Sequence, residues 1–114
     1  MNTKILKTLS SVFLFIFLSN ELLADQGINS DQILIGMHTD ISGPASMIGK
    51  QSVDGANMRF SEFNENGGAY GRKVKFIVED HQYTVPRAVQ AANKLLRKDK
   101  IAFMMGSLGT PMNN

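Results

Sequence analysis

Apolar and polar positions along the chain spell out three strands and two helices. Ile33-Leu34-Ile35-Gly36-Met37 is a short run rich in β-formers that ends in turn residues, which predicts a buried strand. His38 to Ser46 leads onward through the turn signal Ser42-Gly43-Pro44. From about Met47 to Asn64, Val53, Ala56, Phe60 and Phe63 recur at three- and four-residue spacing, the single apolar stripe of a helix, while Asp54, Arg59 and Glu62 lie mostly off it. Asn66-Gly67-Gly68 stops that helix, because glycine takes the left-handed conformation of a C-cap at little cost. Tyr70-Gly71-Arg72 completes a tight turn.

Lys73 to Asp80 alternates Val74, Phe76 and Val78 with Lys73, Lys75, Ile77 and Glu79. One apolar and one mixed face predict a strand near a sheet edge. After His81-Gln82-Tyr83, Thr84 is the expected cap of a second helix running to about Lys98, with Pro86 in its first turn. Ala88, Ala92, Leu95 and Leu96 form its expected buried stripe, with Val85 and Val89 beside it. Arg97, Lys98 and Lys100 complement the dipole at its C-terminal end. Ile101 to Met105 has no polar alternation, the pattern of a strand covered on both faces.

Strand, helix, strand, helix, strand, with crossovers long enough for parallel pairing, predicts a doubly wound α/β sheet of order 2-1-3. Winding reverses between the first and third strands, and ligands of open α/β sheets bind beyond the strand carboxyl ends at such a reversal. The two loops there are His38–Met47 and Gly106–Pro111. In the second, Gly106-Ser107-Leu108-Gly109-Thr110-Pro111 reads as a turn into a helix, with Thr110 as N-cap and Pro111 at the first helical position. Such a turn aims free N–H groups outward, toward an anion such as a carboxylate.

The candidate binding residues follow from these loops. Thr110 offers a hydroxyl, Gly109 and Leu108 backbone groups, and Ser107 a weaker hydroxyl that also suits the turn. On the other loop, Ser42 and Ala45 line the site, a serine in Ser42's position being more often a turn-former than a ligand contact. Ile48 reads as pocket lining or as core packing. His38-x-Asp40 is too common a spacing to indicate a metal, and no third ligand lies near it in sequence. In Glu79-Asp80-His81, Asp80 is expected to bond the adjoining loop and His81 to be solvated, while Tyr83 packs toward the next helix. The seven methionines read as core filler. No cofactor is implied.

The first residues have the anatomy of a secretory signal: Lys4 and Lys7, then an apolar run centred on Val12 to Leu18 that is short for a membrane span. Ala24 is the expected cleavage point, despite Leu22 two positions earlier, giving a mature start at Asp25 and an exported, periplasmic protein. The 114 residues therefore divide into a signal peptide, 1–24, and a domain over 25–114. Past Ala24, ten basic residues face nine acidic ones, which gives no case for nucleic acid or an anionic membrane as partner. The absence of cysteine excludes thiol catalysis, cysteine zinc sites and disulfides.

Five stretches then resemble the branched-chain amino acid type of periplasmic solute-binding protein that serves ABC transporters, with the type I fold. They are Ile35-Gly36 with Ser42-Gly43-Pro44; Gly49 with Asp54-Gly55-Ala56; Asn64 to Gly68 with Gly71-Arg72-Lys73; Glu79 to Tyr83 with Pro86 to Val89; and Gly106 to Pro111. The resemblance implies two α/β lobes joined by a hinge, with the ligand enclosed between them. This chain would supply about the first half of the N-terminal lobe, without hinge or second lobe. It implies that Thr110 holds a ligand carboxylate and that Ile48 stands where amino acid binders often carry tyrosine, keeping the wall but losing the hydroxyl. Gly109-Thr110-Pro111 looks more like a branch with varied small organic ligands.

The expected function is capture of an amino acid or similar carboxylate solute by a monomeric, non-enzymatic protein and its delivery to a membrane permease, with this stretch alone not competent. A sensor ectodomain on the same fold is the alternative. A nucleotide-binding enzyme is disfavoured, because the first turn lacks Gly-x-Gly-x-x-Gly and no phosphate loop or nucleophile elbow occurs.

Overall fold

The computed structural model describes residues 26–113. The signal peptide expected over 1–24 lies outside them. Strand β1 (Gln32–Thr39) runs up the centre, buried from Ile35 onward. It pairs in parallel with β2 (Lys73–Asp80) over eight residue pairs, from Gln32–Lys73 to Thr39–Asp80. On its other side it pairs in parallel with β3 (Phe103–Met104), Ile35 against Phe103 and Gly36 against Met104. The order is β2-β1-β3, the doubly wound α/β arrangement expected from the sequence.

Helix α1 (Ser46–Glu65) turns its half-buried Val53, Ala56, Phe60 and Phe63 to one sheet face, and the Phe60 ring tilts against Phe76 at 5.2 Å. Its end is clipped to β2. The Asn64 side-chain amide donates to the Val74 carbonyl at 2.8 Å, and the Val74 N–H donates back to Asn64 Oδ1 at 2.7 Å. This exchange supplies partners for the first backbone groups of the strand and fixes where the chain turns.

Helix α2 (Val85–Asn93) covers the other face and continues as one wide π turn over Lys94–Lys98. The buried positions are Ala88, Ala91 and Leu95, packed with Ile101. This corrects the expected stripe: Ala92 is half-buried, whereas Leu96, Val85 and Val89 are exposed. A stripe of 88, 91 and 95 keeps the small alanines against the sheet and puts Leu95 over Gly36, where a Cβ would stand 3.2 Å from Leu95 Cδ2. Thr84 is also not a side-chain cap. Its hydroxyl donates back to the His81 carbonyl at 3.2 Å, and only its carbonyl enters the helix, accepting from the Ala88 N–H.

A further expectation changes. The third strand pairs over only two residues and is not covered on both faces: Phe103 is 50% exposed. Ile33, Ile35, Val74 and Phe103, with Phe60 and Phe63 of α1 alongside, line an apolar trough on the α1 face. Among the described residues nothing lies over it. The stretch before β1 is tied to the body of the domain. The Gln26 side chain donates to the carbonyls of Leu96 and Ile101, and the Gly27 carbonyl accepts from the Leu34 N–H, which docks the lead-in across the end of the π turn.

Candidate binding site at the strand carboxyl ends

Three loops meet beyond the carboxyl ends of the sheet. The one after β1 is folded around Asp40, which is fully buried. Its two carboxylate oxygens accept from the N–H groups of Gly43 at 2.5 Å and Ala45 at 2.7 Å. Asp40 therefore builds the turn into α1, and Ala45, the N-cap position, needs no side-chain cap of its own. Gly49 lies against the same turn, where a Cβ would come within 1.8 Å of the Asp40 carbonyl oxygen.

The loop after β2 is bonded to this turn through Asp80. Asp80 Oδ2 accepts from the Ser42 hydroxyl at 2.6 Å, and Oδ1 from the N–H groups of Ile41 and Gln82, each at 3.0 Å. Partial burial alone would raise its pKa. The hydrogen bonds from Ser42, Ile41 and Gln82 outweigh that and hold the carboxyl below the usual carboxylate value. Gln82 and Tyr83 both adopt left-handed backbone, with φ of 50° and 56°. Such residues store about 1–3 kcal/mol each, and here both amides are satisfied, Gln82 by Asp80 and Tyr83 by His81 Nδ1 at 3.0 Å.

His81 is not solvated as expected; it is wholly buried. Its Nδ1 accepts from the Tyr83 N–H, so the proton sits on Nε2, which donates to the Leu108 carbonyl at 3.0 Å. The His38 ring stands 5.4 Å away. Burial first, and the neighbouring His81 second, hold the His38 pKa below its ordinary value. Among the described residues, His38 Nδ1, Thr39 Oγ1 and Ser107 Oγ are buried without a protein partner. Among the described residues no group of three His, Cys, Asp or Glu side chains is placed to hold a metal.

The loop after β3 carries most of the candidates. Thr110 is not an N-cap: it opens a single 3₁₀ turn, Thr110–Met112, whose cap position is Gly109 at φ 103°. Thr110 is exposed. The carbonyls of this loop are occupied from within. Ser107 and Gly109 accept from the Asn113 side-chain amide, Leu108 from His81, and Thr110 from the Asn113 N–H. Among the described residues the N–H groups of Ser107, Leu108, Gly109 and Thr110 donate to no protein acceptor.

The sequence candidates are thus only partly brought together. Ser107, Leu108, Gly109 and Thr110 form one continuous segment. Its link to the middle loop runs through His81 and through Tyr83, whose ring edge lies 3.5 Å from where a Gly109 Cβ would stand. Ser42 is tied to the middle loop from the other side, as a turn-former for Asp80. Ile48 is 54% exposed on the first turn of α1, which excludes core packing of its side chain in this chain. Asp40 and His81, the organisers of the two outer loops, were not read as such. A polar residue directly following a strand, as both are, is the signal that would have found them.

A family model described as "Periplasmic binding protein" matches residues 32–113. The Leu/Ile/Val-binding protein BraC3 of Rhizobium johnstonii is 35% identical over 74 residues, 65% of this chain and 20% of that protein. The leucine-specific-binding protein of Salmonella typhimurium is 30% identical over 87 residues, 76% of this chain and 23% of that protein. Among solved structures, a fatty acid ABC transporter substrate-binding protein from Thermomonospora curvata superposes with a TM-score of 0.69 at 28% identity, over 76% of this chain and 22% of that one. An isoleucine complex of the branched-chain amino acid transporter substrate binding protein LivJ from Streptococcus pneumoniae shares the fold, with a TM-score of 0.69 at 22% identity, over 73% of this chain and 24% of that one. The chain spans about a fifth of the length of the curated relatives it matches. With the β2-β1-β3 sheet and the match along its described length, the chain belongs to the periplasmic binding protein family, in its branched-chain amino acid type with the type I fold.

Proposed function

We propose that this chain is the front of the N-terminal lobe of an exported solute-binding protein, which captures an amino acid or similar small carboxylate between two lobes and delivers it to an ABC-transporter permease in the membrane. The chemistry is binding, with no bond made or broken. The relatives' printed ligands, leucine, isoleucine, valine and fatty acid, all carry a carboxylate and an apolar body.

The observation that carries the carboxylate reading is the loop after β3. Its carbonyls at Ser107, Leu108 and Gly109 are occupied by Asn113 and His81, while among the described residues the N–H groups of Leu108, Gly109 and Thr110 have no protein acceptors. Backbone N–H groups left free in this way suit an anion. They lie at the point where the strand order reverses, where open α/β sheets bind ligands. Thr110 adds an exposed hydroxyl, and Ile48 an exposed apolar side chain. With one lobe incomplete, affinity is expected to be no better than about millimolar, since closure of a second lobe supplies most of the buried contact in such a receptor.

The test is amide NMR of the 114-residue chain titrated with L-leucine and, separately, with isoamylamine, which has the same apolar body and no carboxylate. The reading expects the Leu108, Gly109 and Thr110 amides to move with L-leucine and to stay in place with isoamylamine. Equal response to both sinks the carboxylate role of this loop.

A further inference from the structure

We infer that His81 is a positioning residue for the ligand loop: its imidazole fixes the Leu108–Gly109 peptide so that the Gly109 N–H faces away from the protein interior, toward a bound carboxylate. The inference rests on the carboxylate reading above and adds the residue that sets the geometry of the site.

The argument begins with what the loop lacks. After the Met105 N–H bonds the Gly36 carbonyl, the chain leaves the sheet, and the backbone groups of Gly106 to Thr110 have no ladder to join. A half-buried carbonyl there is best served by a donor from elsewhere. For Leu108 that donor is His81 Nε2, at 3.0 Å, from a side chain with no exposed surface. A trans peptide is planar, with its C=O and N–H pointing to opposite sides. Holding the Leu108 carbonyl inward therefore turns the Gly109 N–H outward. Gly109 makes the arrangement sterically feasible: at φ 103° and ψ 117°, a side chain would be strained and would meet Met112 Sδ at 2.8 Å.

His81 is itself fixed at both nitrogens. The Tyr83 N–H can donate only to a bare Nδ1, which leaves Nε2 as the protonated nitrogen. The Tyr83 N–H is held in place in turn by the left-handed backbone of Gln82 and Tyr83, and the Gln82 N–H is held by Asp80. The result is a relay of contacts from the end of β2 to the loop after β3. An apolar residue at position 81 would fill the space but leave the half-buried Leu108 carbonyl without its donor, free to let the peptide rotate. Asn113 plays a supporting part, holding the two flanking carbonyls from an exposed position.

Two substitutions divide the two bonds of His81. His81→Asn keeps an acceptor at the δ position for Tyr83 and removes the donor to Leu108. His81→Gln keeps an N–H donor at the ε position and removes the acceptor. Both are made in the 114-residue chain, labelled with ¹⁵N and ¹³C, and the first readout is taken without ligand. In the wild-type chain, His81 is expected to show the Nε2–H tautomer. The Leu108 carbonyl resonance is expected to move in H81N and to remain in H81Q, while the two variants melt within a few degrees of each other. A Nδ1–H tautomer, a spectrum without dispersed loop amides, or equal Leu108 shifts in the two variants overturns the inference.

L-Leucine is then titrated as the probe. The response of the Gly109 amide is expected to weaken about tenfold in H81N, the loss typical of one buried hydrogen bond, and to survive in H81Q. A purely structural role would weaken both in proportion to their melting temperatures and overturns the positioning role. If the wild-type Gly109 amide ignores L-leucine while the ligand-free carbonyl pattern is as expected, the carboxylate reading fails and the fixed orientation of the peptide stands.

Discussion

Gly49 shows how little room single residues have at this site. Its missing side chain lets α1 start against the Asp40 carbonyl, which would stand 1.8 Å from a Cβ. Gly49→Ala must push the helix start away from the turn that Asp40 holds. A loss of about 1–3 kcal/mol is expected, in the range of core overpacking, read as a lower denaturation midpoint at unchanged slope. His38 sets a pH dependence at the same scale. Its buried ring has a pKa below the ordinary 6.5, so the unfolded chain takes up a proton more readily than the folded one. Its contribution is fully present above that unfolded value and is lost as pH falls toward the folded pKa. Denaturation midpoints measured at about pH 7.5 and about pH 5.5 are expected to fall with pH, and His38→Gln to flatten part of that slope. Asp80 acts in a more acidic window, because its depressed pKa keeps its contribution until pH drops below the usual carboxylate range.

At the scale of elements, α2 makes the sharpest contrast. Leu95 has no exposed surface, whereas Leu96 beside it is 46% exposed. Leu95→Ala is expected to cost about 2–5 kcal/mol, as for other buried leucines. Leu96→Ala is expected to stay within about 0.5 kcal/mol, as for a surface site. Thermal melts of the two variants side by side check this. The same pair shows why the sequence reading went only so far. The Lys73–Asp80 strand was legible to the residue, because Val74, Phe76 and Val78 alternate with a face that is polar except at Ile77. The stripe of α2 was not, because Leu95 and Leu96 are equally apolar and only the approach to Gly36 chooses between them. In the candidate site, the position of Ser107 to Thr110 as one loop beyond the strand carboxyl ends was legible from its glycines and from the winding of the sheet. The burial of His81 was not, because its partner Leu108 lies 27 residues away. The Asn113 contacts were likewise hidden, since nothing local marks an asparagine as the donor to two carbonyls.

Over the whole molecule, the apolar trough along Ile33, Ile35 and Phe103 and the short β3 leave one side of the sheet thinly built. A domain of this size buries a modest share of its surface in any case. The 114-residue chain is therefore expected to unfold broadly and at low temperature, read by circular dichroism. A sharp transition at mesophilic temperatures, together with micromolar binding of L-leucine, would refute both the marginal stability and the need for a second lobe.

The uneven ladder has a consequence for how this molecule would be assayed. β1 holds β2 through eight residue pairs but β3 through two. Opening free energies follow such differences, and edges open first. The loop proposed to hold the ligand hangs from the weakly held strand, while most of the helical signal comes from α1 and α2, which pack on β1 and β2. A substitution that frees β3 is expected to abolish the proposed recognition and to leave the far-ultraviolet spectrum nearly unchanged. Spectroscopic integrity and competence to bind are thus separate properties of this chain, and neither can stand as a control for the other.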